Sequence, residues 1–388
     1  MIHARPAVAV ALAEAQGLVL AEDVVAQLAL PVFDNSAMDG YAVRAEDTSE
    51  ATPERPVVLP VAEDIPAGRT DPLTLQPKTA HRIMTGAPLP AGATAIVPVE
   101  DTDGGVDTVA IRAPRDPGKH IRRAGEDVAP GTTVLRAGQV VTPAVLGLAA
   151  ALGMAELTVI PRQRVLVIST GSELVAPGTP LQPGQIYESN SIMLAGAVRE
   201  AGAEVTAVAT AEDDVAQFSS LLDRYAADAD LIITSGGVSA GAYEVVKDAF
   251  GRDGDQGVEF VKVAMQPGMP QGIGRVAGTT IVTLPGNPVS ALVSFEVFIR
   301  PALRAAMGLP DPERPHRPAI LAESLTSPRG KRQFRRAILD ADSGSVTSYG
   351  PPASHHLRWL ASANGLLDIP ENVVEVSAGT QLQVWDLS

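Results

Sequence analysis

The chain has 388 residues, of which 45% are hydrophobic, 4% aromatic and none cysteine, and its formal net charge is −15. That length favours two to four domains with ample core. The acidic balance argues against non-specific binding to nucleic acid or membrane, and the absence of cysteine removes disulfides, thiolate metal sites and a thiol nucleophile together.

Residues 1–30 read as helical, with Ala, Leu and Val on one face. The opening MIHARPAVAVALAEAQG outlines a secretory leader. Its only early charges are His3 and Arg5, however, and Glu14 and Glu22 follow, so an amphipathic helix is the better reading. Pro31–Val43, PVFDNSAMDGYAV, reads as a dense loop of polar residues beside aromatics. From Thr52 to Thr133 the short β-like runs Val57–Val61, Thr94–Val99 and Thr108–Ile111 alternate with Pro and Gly, which describes a small β-rich domain. The uncharged run Gly138–Ala155 reaches the minimum membrane-spanning length, but Pro143, Gly147 and Gly153 interrupt it. Thr142 as N-cap, Pro143 at the first helical position and Gly153 past the end describe a buried helix instead. The β-rich residues 31–131 are therefore expected as an insertion in a discontinuous domain of 1–30 and 132–160. A soluble, cytoplasmic protein is expected.

Residues 161–308 alternate buried-strand runs with helical patterns, which predicts an α/β domain with a mostly parallel sheet. The runs are Val165–Ile168, Val205–Ala209, Leu231–Thr234 and Val258–Ala264, with a hairpin of Gly274–Val276 and Thr280–Leu284. Helices are expected over Ser189–Ala201, Val215–Ala227, Tyr243–Phe250 and Val289–Met307, the last with Asn287 as N-cap and Pro288 at N1. Pro-rich Leu309–Pro318 reads as a linker. The strand-like runs Ala319–Leu321, Phe334–Leu339, Gly365–Ile369 and Gln381–Val384 predict a C-terminal β-barrel or sandwich over 309–388.

Three glycine loops follow strands in this α/β part: Ser169–Glu173, Ser235–Ser239 and Leu284–Pro288. Ligands of such sheets bind beyond the carboxyl ends of the strands, so the loops should share one edge. Glycine lets the backbone of Ser235-Gly236-Gly237-Val238-Ser239 approach an anion, and the Pro285-Gly286-Asn287-Pro288 turn adds a helix N-terminus. No GxGxxG follows a strand and no GxxxxGK[ST] occurs, which disfavours a Rossmann dehydrogenase or P-loop NTPase. Glu173, Asp213, Asp214 and Glu244 follow strand ends. Beside a phosphate they are suited to Mg²⁺; singly, each is equally a helix-terminal or solvated acid. Asp39 and Asp127 lie in loops of the β-rich region and need another domain or subunit to reach the sheet. The basic islands Lys119–Arg123 and Lys331–Arg336 are small-anion sites or solvated turns. His355-His356 is the only histidine pair, and no GxSxG elbow turns Ser235 or Ser239 into a nucleophile.

Six stretches in order carry a family resemblance: PVFDNSAMDGYAV at 31–43, RIMTGAPLP at 82–90, HIRRAGEDV at 120–128, ISTGSEL at 168–174, TSGGVSAG at 234–241 and LPGNPVSA at 284–291. The chain resembles, over essentially its whole length, the molybdopterin molybdenumtransferase family, which includes the E domain of gephyrin. The resemblance implies insertion of molybdate into adenylylated molybdopterin, yielding molybdenum cofactor and AMP with Mg²⁺. It also implies a four-domain homodimer whose second domain serves the other subunit's site. The upstream molybdopterin adenylyltransferase and molybdoenzyme acceptors are the implied partners. The motifs assign catalytic roles to Asp39, Thr85, Asp127, Glu173 and Lys262. They assign metal binding to Asp213, Glu244 and Glu173. Substrate contacts are implied for Arg122, Arg123, Ser235, Gly236, Gly237, Ser239, Pro285, Gly286, Asn287 and Pro288, and in the tail for Arg336 and Ser354. Two departures stand out. Many relatives read KPGKP where this chain has Gln266-Pro267-Gly268-Met269-Pro270, which lacks two cations, and Glu244 stands where Asp is common. A non-catalytic carrier or scaffold paralogue is the alternative reading.

Overall fold

The computed structural model describes residues 2–237, 245–251 and 257–388. Two compact units form, one of Ala9–Thr158 and one of the chain start through Val8 together with Val159–Ser388. No helix of the described residues is long and apolar enough to cross a membrane.

The Ala9–Thr158 unit is built on a five-stranded sheet in the order Ala95–Pro98, Gly40–Val43, Ala80–Ile83, Val57–Ile65, Thr108–Ile111. All three β-runs expected here lie in it. Gly40–Val43, expected within a loop, is instead an inner strand paired on both sides. Gly40 explains how a DGYA stretch can be one. A Cβ at this position would sit 2.0 Å from the Val97 carbonyl oxygen, so only glycine allows the neighbouring strand to approach. Tyr41 beside it is fully buried and donates its hydroxyl to the Gly105 carbonyl at 2.8 Å.

Two helical expectations in this unit need correction. Residues 1–30 contain one helical turn, Leu12–Ala15, while Val8–Ala11, Val19–Leu20 and Val24–Val25 are strands. The β-branched valines favour extended backbone, and Gly17, at φ +75°, ends the turn. Thr142 caps Pro143–Ala151 as expected, its hydroxyl accepting from the Val145 N–H at 3.3 Å. Only Ala149 of that helix is buried, however, so the unit covers one face of it rather than all sides.

The larger unit holds a six-stranded sheet in the order Glu204–Ala211, Arg164–Thr170, Leu231–Ser235, Thr279–Leu284, Pro270–Val276, Val258–Lys262. The first four strands are mutually parallel, and Pro270–Val276 runs against its neighbours on both sides. Alternate residues of Arg164–Thr170 feed two cores. Val165 and Val167 pack with Leu194, Val198 and Phe295, whereas Leu166 and Ile168 pack with Phe218, Leu222 and Val246. Each such fully buried aliphatic side chain stabilises by about 1.5–3 kcal/mol, which fixes the register and hence the height at which each strand ends.

The apolar run after Pro288 forms one continuous helical path, with α-helix over Pro288–Ser294, a π-helical segment over Phe295–Ile299 and α-helix over Arg300–Ala306. Pro301 accounts for the widened turn, since it has no N–H to close an ordinary i→i−4 bond. The expected linker after it is pinned rather than loose. Arg314 is buried and bonds Glu296 at 2.8 and 3.1 Å and Glu200 at 2.6 Å. Beyond it His316–Leu321, Arg332–Asp340, Ser345–Ser348, Gly365–Ile369 and Gln381–Asp386 close into a barrel, and Met265–Gln266 adds to its Arg332–Asp340 strand in parallel.

Candidate active site

The three glycine loops do share one edge. Ser169 pairs with Ser235, and Ser235 with Leu284, so the strands end level and their loops meet. Gly236 has φ +98°, and a Cβ there would lie 2.6 Å from the Thr170 carbonyl oxygen. Both constraints demand glycine, and they let the second loop pack directly on the first. The Gly236 N–H donates to the Leu284 carbonyl at 3.1 Å. That amide therefore ties two loops together and is not offered to an anion, contrary to expectation.

Asn190, the first residue of the helix Asn190–Glu200, locks the loops further. Its side-chain amide donates to Ser235 Oγ at 2.7 Å and to the Gly286 carbonyl at 2.6 Å. Behind it lies buried Glu188, whose carboxylate accepts from Ser169 Oγ at 2.7 Å, from the Ser191 N–H at 2.8 Å and from the Ser191 hydroxyl. Hydrogen-bonded in this way, it fixes the helix start against the first strand.

These loops wall a cavity of about 590 Å³, lined among others by Glu173, Asp213, Asn190, Ser235, Gly236 and Gly237. Asp213 is oriented reciprocally: its carboxylate accepts the Ser172 N–H at 3.2 Å, and its own N–H donates to Ser172 Oγ at 2.9 Å. The Glu173 carboxylate folds back over Gly171, where a Cβ would meet Oε2 at 2.6 Å. Both acids are exposed to the cavity, and neither has a cationic partner among the described residues. Asp214 is different in kind, because it caps Val215–Tyr225 by accepting the Gln217 N–H at 3.0 Å. A second cavity, of about 500 Å³, shares Gly286, Asn287 and His355 with the first and is otherwise lined by Met265–Pro270, Pro285, Ser290, Lys331 and Pro352–Ser354.

The Ala9–Thr158 unit has an exposed polar centre of its own. Asp39 Oδ1 accepts the Thr85 N–H at 2.7 Å and the Thr85 hydroxyl at 2.8 Å, and the backbone bond first, then the hydroxyl, holds its pKa below the ordinary carboxylate value. The Gly86 N–H donates to the Ser36 carbonyl at 2.8 Å, which stitches the loops carrying Asp39 and Thr85 together. Arg123 pairs with Asp34 at 2.6 Å and its charge is engaged there, whereas Arg122 and Asp127 are exposed without an ion pair among the described residues.

Family models for the MoeA N-terminal region (domains I and II), a probable molybdopterin-binding domain and the MoeA C-terminal region (domain IV) match residues 2–153, 166–305 and 318–387. The chain is 82% identical to molybdopterin molybdenumtransferase 2 of Mycobacterium tuberculosis, over 100% of this chain and 97% of the relative. The chain belongs to the MoeA family of molybdopterin molybdenumtransferases. Molybdopterin molybdenumtransferase 1 of the same species is 38% identical over 97% of this chain and 93% of its own length. The solved molybdopterin biosynthesis MoeA protein of Pyrococcus horikosii superposes with a TM-score of 0.80 at 30% identity, covering 100% of this chain and 95% of that one.

In this MoeA chain the expected residues divide clearly. Glu173, Asp213, Ser235, Gly236, Gly237, Gly286, Asn287 and Pro288 line the first cavity, and Pro285 and Ser354 the second. Lys262 ends the outermost strand, which runs in the sense of the four parallel ones and so finishes at the loop-bearing edge, opposite Pro270. It is exposed and lines neither cavity. Arg336 also stays out of both. Its buried guanidinium donates to the carbonyls of Ala353, His356 and Pro351, and so shapes the Ser354 loop from behind. Asn287 precedes the Pro288–Ser294 helix but does not cap it with its side chain; the free N–H of Val289 is taken by the Ser354 carbonyl at 3.0 Å. Ser239 and Glu244 lie outside the described residues. Sequence reading missed Glu188 and Asn190. Their one signal was an acid-Ser-Asn run at a predicted helix start, which is common at any helix N-terminus.

Proposed function

We propose that this chain inserts molybdate into adenylylated molybdopterin, releasing molybdenum cofactor and AMP. The observation that carries this reading is the pairing of two adjoining cavities. Among the described residues, one presents the carboxylates of Glu173 and Asp213, free of ion pairs, beside the close-packed Gly236-Gly237 backbone, and the other is lined by no carboxylate. The first suits a metal-bridged phosphate, the second a small oxyanion.

Exposed carboxylate oxygens without a cationic partner are the hard donors Mg²⁺ takes, one or two from protein and the rest from phosphate and water. Among the described residues no third acidic or histidine side chain joins them. Asp213 and Glu173 would hold the ion, with Glu244 as a proposed third ligand. Bound there, Mg²⁺ would neutralise phosphate oxygens. The protein's own part is positioning. Asn190 and Glu188 keep the loops level, Gly237 lines the first cavity, and Ser354 and Asn287 would present donors to the oxyanion. We further propose that the chain works as a cytoplasmic homodimer, in which Asp39, Thr85, Asp127 and Arg122 of one subunit serve the other. The upstream adenylyltransferase would deliver the substrate, and molybdoenzymes would accept the product.

One observation favours the carrier alternative: Gln266 and Met269 line the second cavity without charge. A single-turnover assay separates the readings. Protein, adenylylated molybdopterin, Mg²⁺ and molybdate are mixed, and AMP release is followed beside reconstitution of a molybdoenzyme, with Glu173→Ala as control. Molybdate-dependent AMP release that the control loses supports the transferase. Tight substrate binding with no AMP release contradicts it and favours a carrier.

A further inference from the structure

We propose that the buried guanidinium of Arg300 binds a small monovalent anion of the halide class, which ties the segment before the barrel to the last helix of the α/β part. Arg300 is 8% exposed and sits where the π-helical Phe295–Ile299 passes into the α-helix Arg300–Ala306. Its own N–H donates to the Phe295 carbonyl and closes the widened turn. Glu296 stands four residues earlier, the spacing at which an α-helix pairs opposite charges. The widened turn offsets them, and Nε lies 3.8 Å from the Glu296 carboxylate, outside hydrogen-bond reach. Neither Nε nor Nη1 has a hydrogen-bond partner among the described residues, although both are shielded from solvent. The carboxylates nearby are engaged elsewhere. Arg314 takes both oxygens of Glu296, at 2.8 and 3.1 Å, and Glu200 at 2.6 Å.

Charge then decides. The charged groups that act on Arg300 are Arg314, Arg304, Glu296 and Glu200, so three guanidiniums share two carboxylates. Arg304 donates to the carbonyls of Pro310 and Asp311, at 2.6 and 3.0 Å, which occupies its donors and leaves its charge. One positive charge is therefore in excess here, in a chain whose net charge is −15. Arginine cannot shed its proton to relieve this. Burial first, and then Arg314, push the Arg300 pKa below the ordinary arginine value, but the group stays charged. A buried cation without a full partner is strongly unfavourable, and an anion on its two unused donors removes the penalty. An interior position takes an ion of atomic size rather than a phosphate ester. A guanidinium, itself weakly hydrated, suits a weakly hydrated halide. Arg300 lies on the helix and Arg314 on the segment that leads into the barrel, so an anion that screens their repulsion holds the two together. The assignment is independent of which substrate the glycine loops hold.

Urea unfolding of the full-length protein at fixed ionic strength tests this, with sodium chloride exchanged for sodium gluconate, whose anion is too large to enter. A site with a dissociation constant of about 10 mM should raise the folded-to-unfolded ratio about tenfold at about 100 mM chloride, along a saturating curve. Bromide should act as chloride does. Arg300→Met should lose this gain. Arg275→Met, which removes an exposed guanidinium bonded to the Gly278 carbonyl, should keep it. A bromide-soaked crystal of the unaltered protein locates the ion without relying on any variant, and its anomalous signal is expected within hydrogen-bond reach of Arg300 Nε or Nη1. Equal urea midpoints in chloride and gluconate would overturn the assignment, as would a chloride gain that Arg300→Met retains. Bromide found only at exposed positions would mean an adventitious ion only, and would overturn it as well.

Discussion

Asn190→Ala tests the loop geometry at one side chain. The amide makes two bonds, one to Ser235 Oγ at 2.7 Å and one to the Gly286 carbonyl at 2.6 Å. A net intramolecular hydrogen bond contributes about 1 kcal/mol. Gly286 is exposed and its carbonyl can turn to water, but Ser235 is 2% exposed and cannot rehydrate. The loss should therefore be about 2 kcal/mol, weighted to the Ser235 side, or about 30-fold in the folded-to-unfolded ratio. Both tryptophans, Trp359 and Trp385, lie in the Val159–Ser388 unit, so urea unfolding followed by tryptophan fluorescence reads this unit selectively. Function should suffer beyond stability, because the second and third loops lose their side-chain tie and keep the Gly236 N–H bond to the Leu284 carbonyl. We expect kcat/KM for AMP release to fall by about 100-fold under conditions where the variant is fully folded. Adding Ser235→Ala to Asn190→Ala should then cost little more than Asn190→Ala alone. An Asn190→Ala protein with unchanged urea midpoint and unchanged turnover would refute the claim that this amide organises the site.

Three further outcomes are expected. Gly40→Ala should destabilise the Ala9–Thr158 unit by about 3 kcal/mol, because the new methyl meets backbone that cannot swing away; accelerated proteolysis within residues 31–131 would report it, and wild-type resistance would contradict it. Arg314→Met should cost about 3 kcal/mol by removing the hydrogen-bonded partner of buried Glu296 and leaving it only Arg300, at 3.8 Å; an unchanged urea midpoint in this variant would show that the pair does not hold the segment. Asp39 should titrate below an ordinary carboxylate in a carbon-13 NMR titration, and Thr85→Val should raise its pKa only partway, since the stronger backbone bond survives. Because its folded pKa is depressed, the stability Asp39 contributes is present above the unfolded pKa and is lost as pH falls through the folded value. An unshifted midpoint in Thr85→Val would remove the hydroxyl from this explanation.

Periodicity and turn chemistry carried much of this architecture. The buried strands around Val165–Ile168 and Leu231–Thr234, the Thr142-Pro143 helix start and the tail strands are all marked by local residue types, and the structure keeps them. What failed was decided by long-range contacts. Gly40–Val43 becomes an inner strand because Val97 and Ile83 flank it, which no window around DGYA reveals. The valines near the chain start are extended because they pair with distant backbone, such as Val24–Val25 with Thr133–Leu135. The site shows the same division. Glu173, Asp213 and the glycine loops were legible because they follow strand ends, and strand ends of a parallel sheet share an edge. Asn190 was not, since it acts by bridging two remote loops. Arg336 illustrates the converse: a motif marked it for the ligand, and the fold spends it on three backbone carbonyls.

The central claim is that the Glu173–Asp213 cavity holds the phosphate-bearing substrate. A crystal structure of the slow Glu173→Ala variant with adenylylated molybdopterin measures this directly. The account predicts ligand phosphate between Asp213 and the Gly236-Gly237 turn, with the neighbouring Lys331 cavity opening onto the pterin end. Substrate bound elsewhere on the molecule, with this cavity filled only by water at saturating ligand, would contradict it.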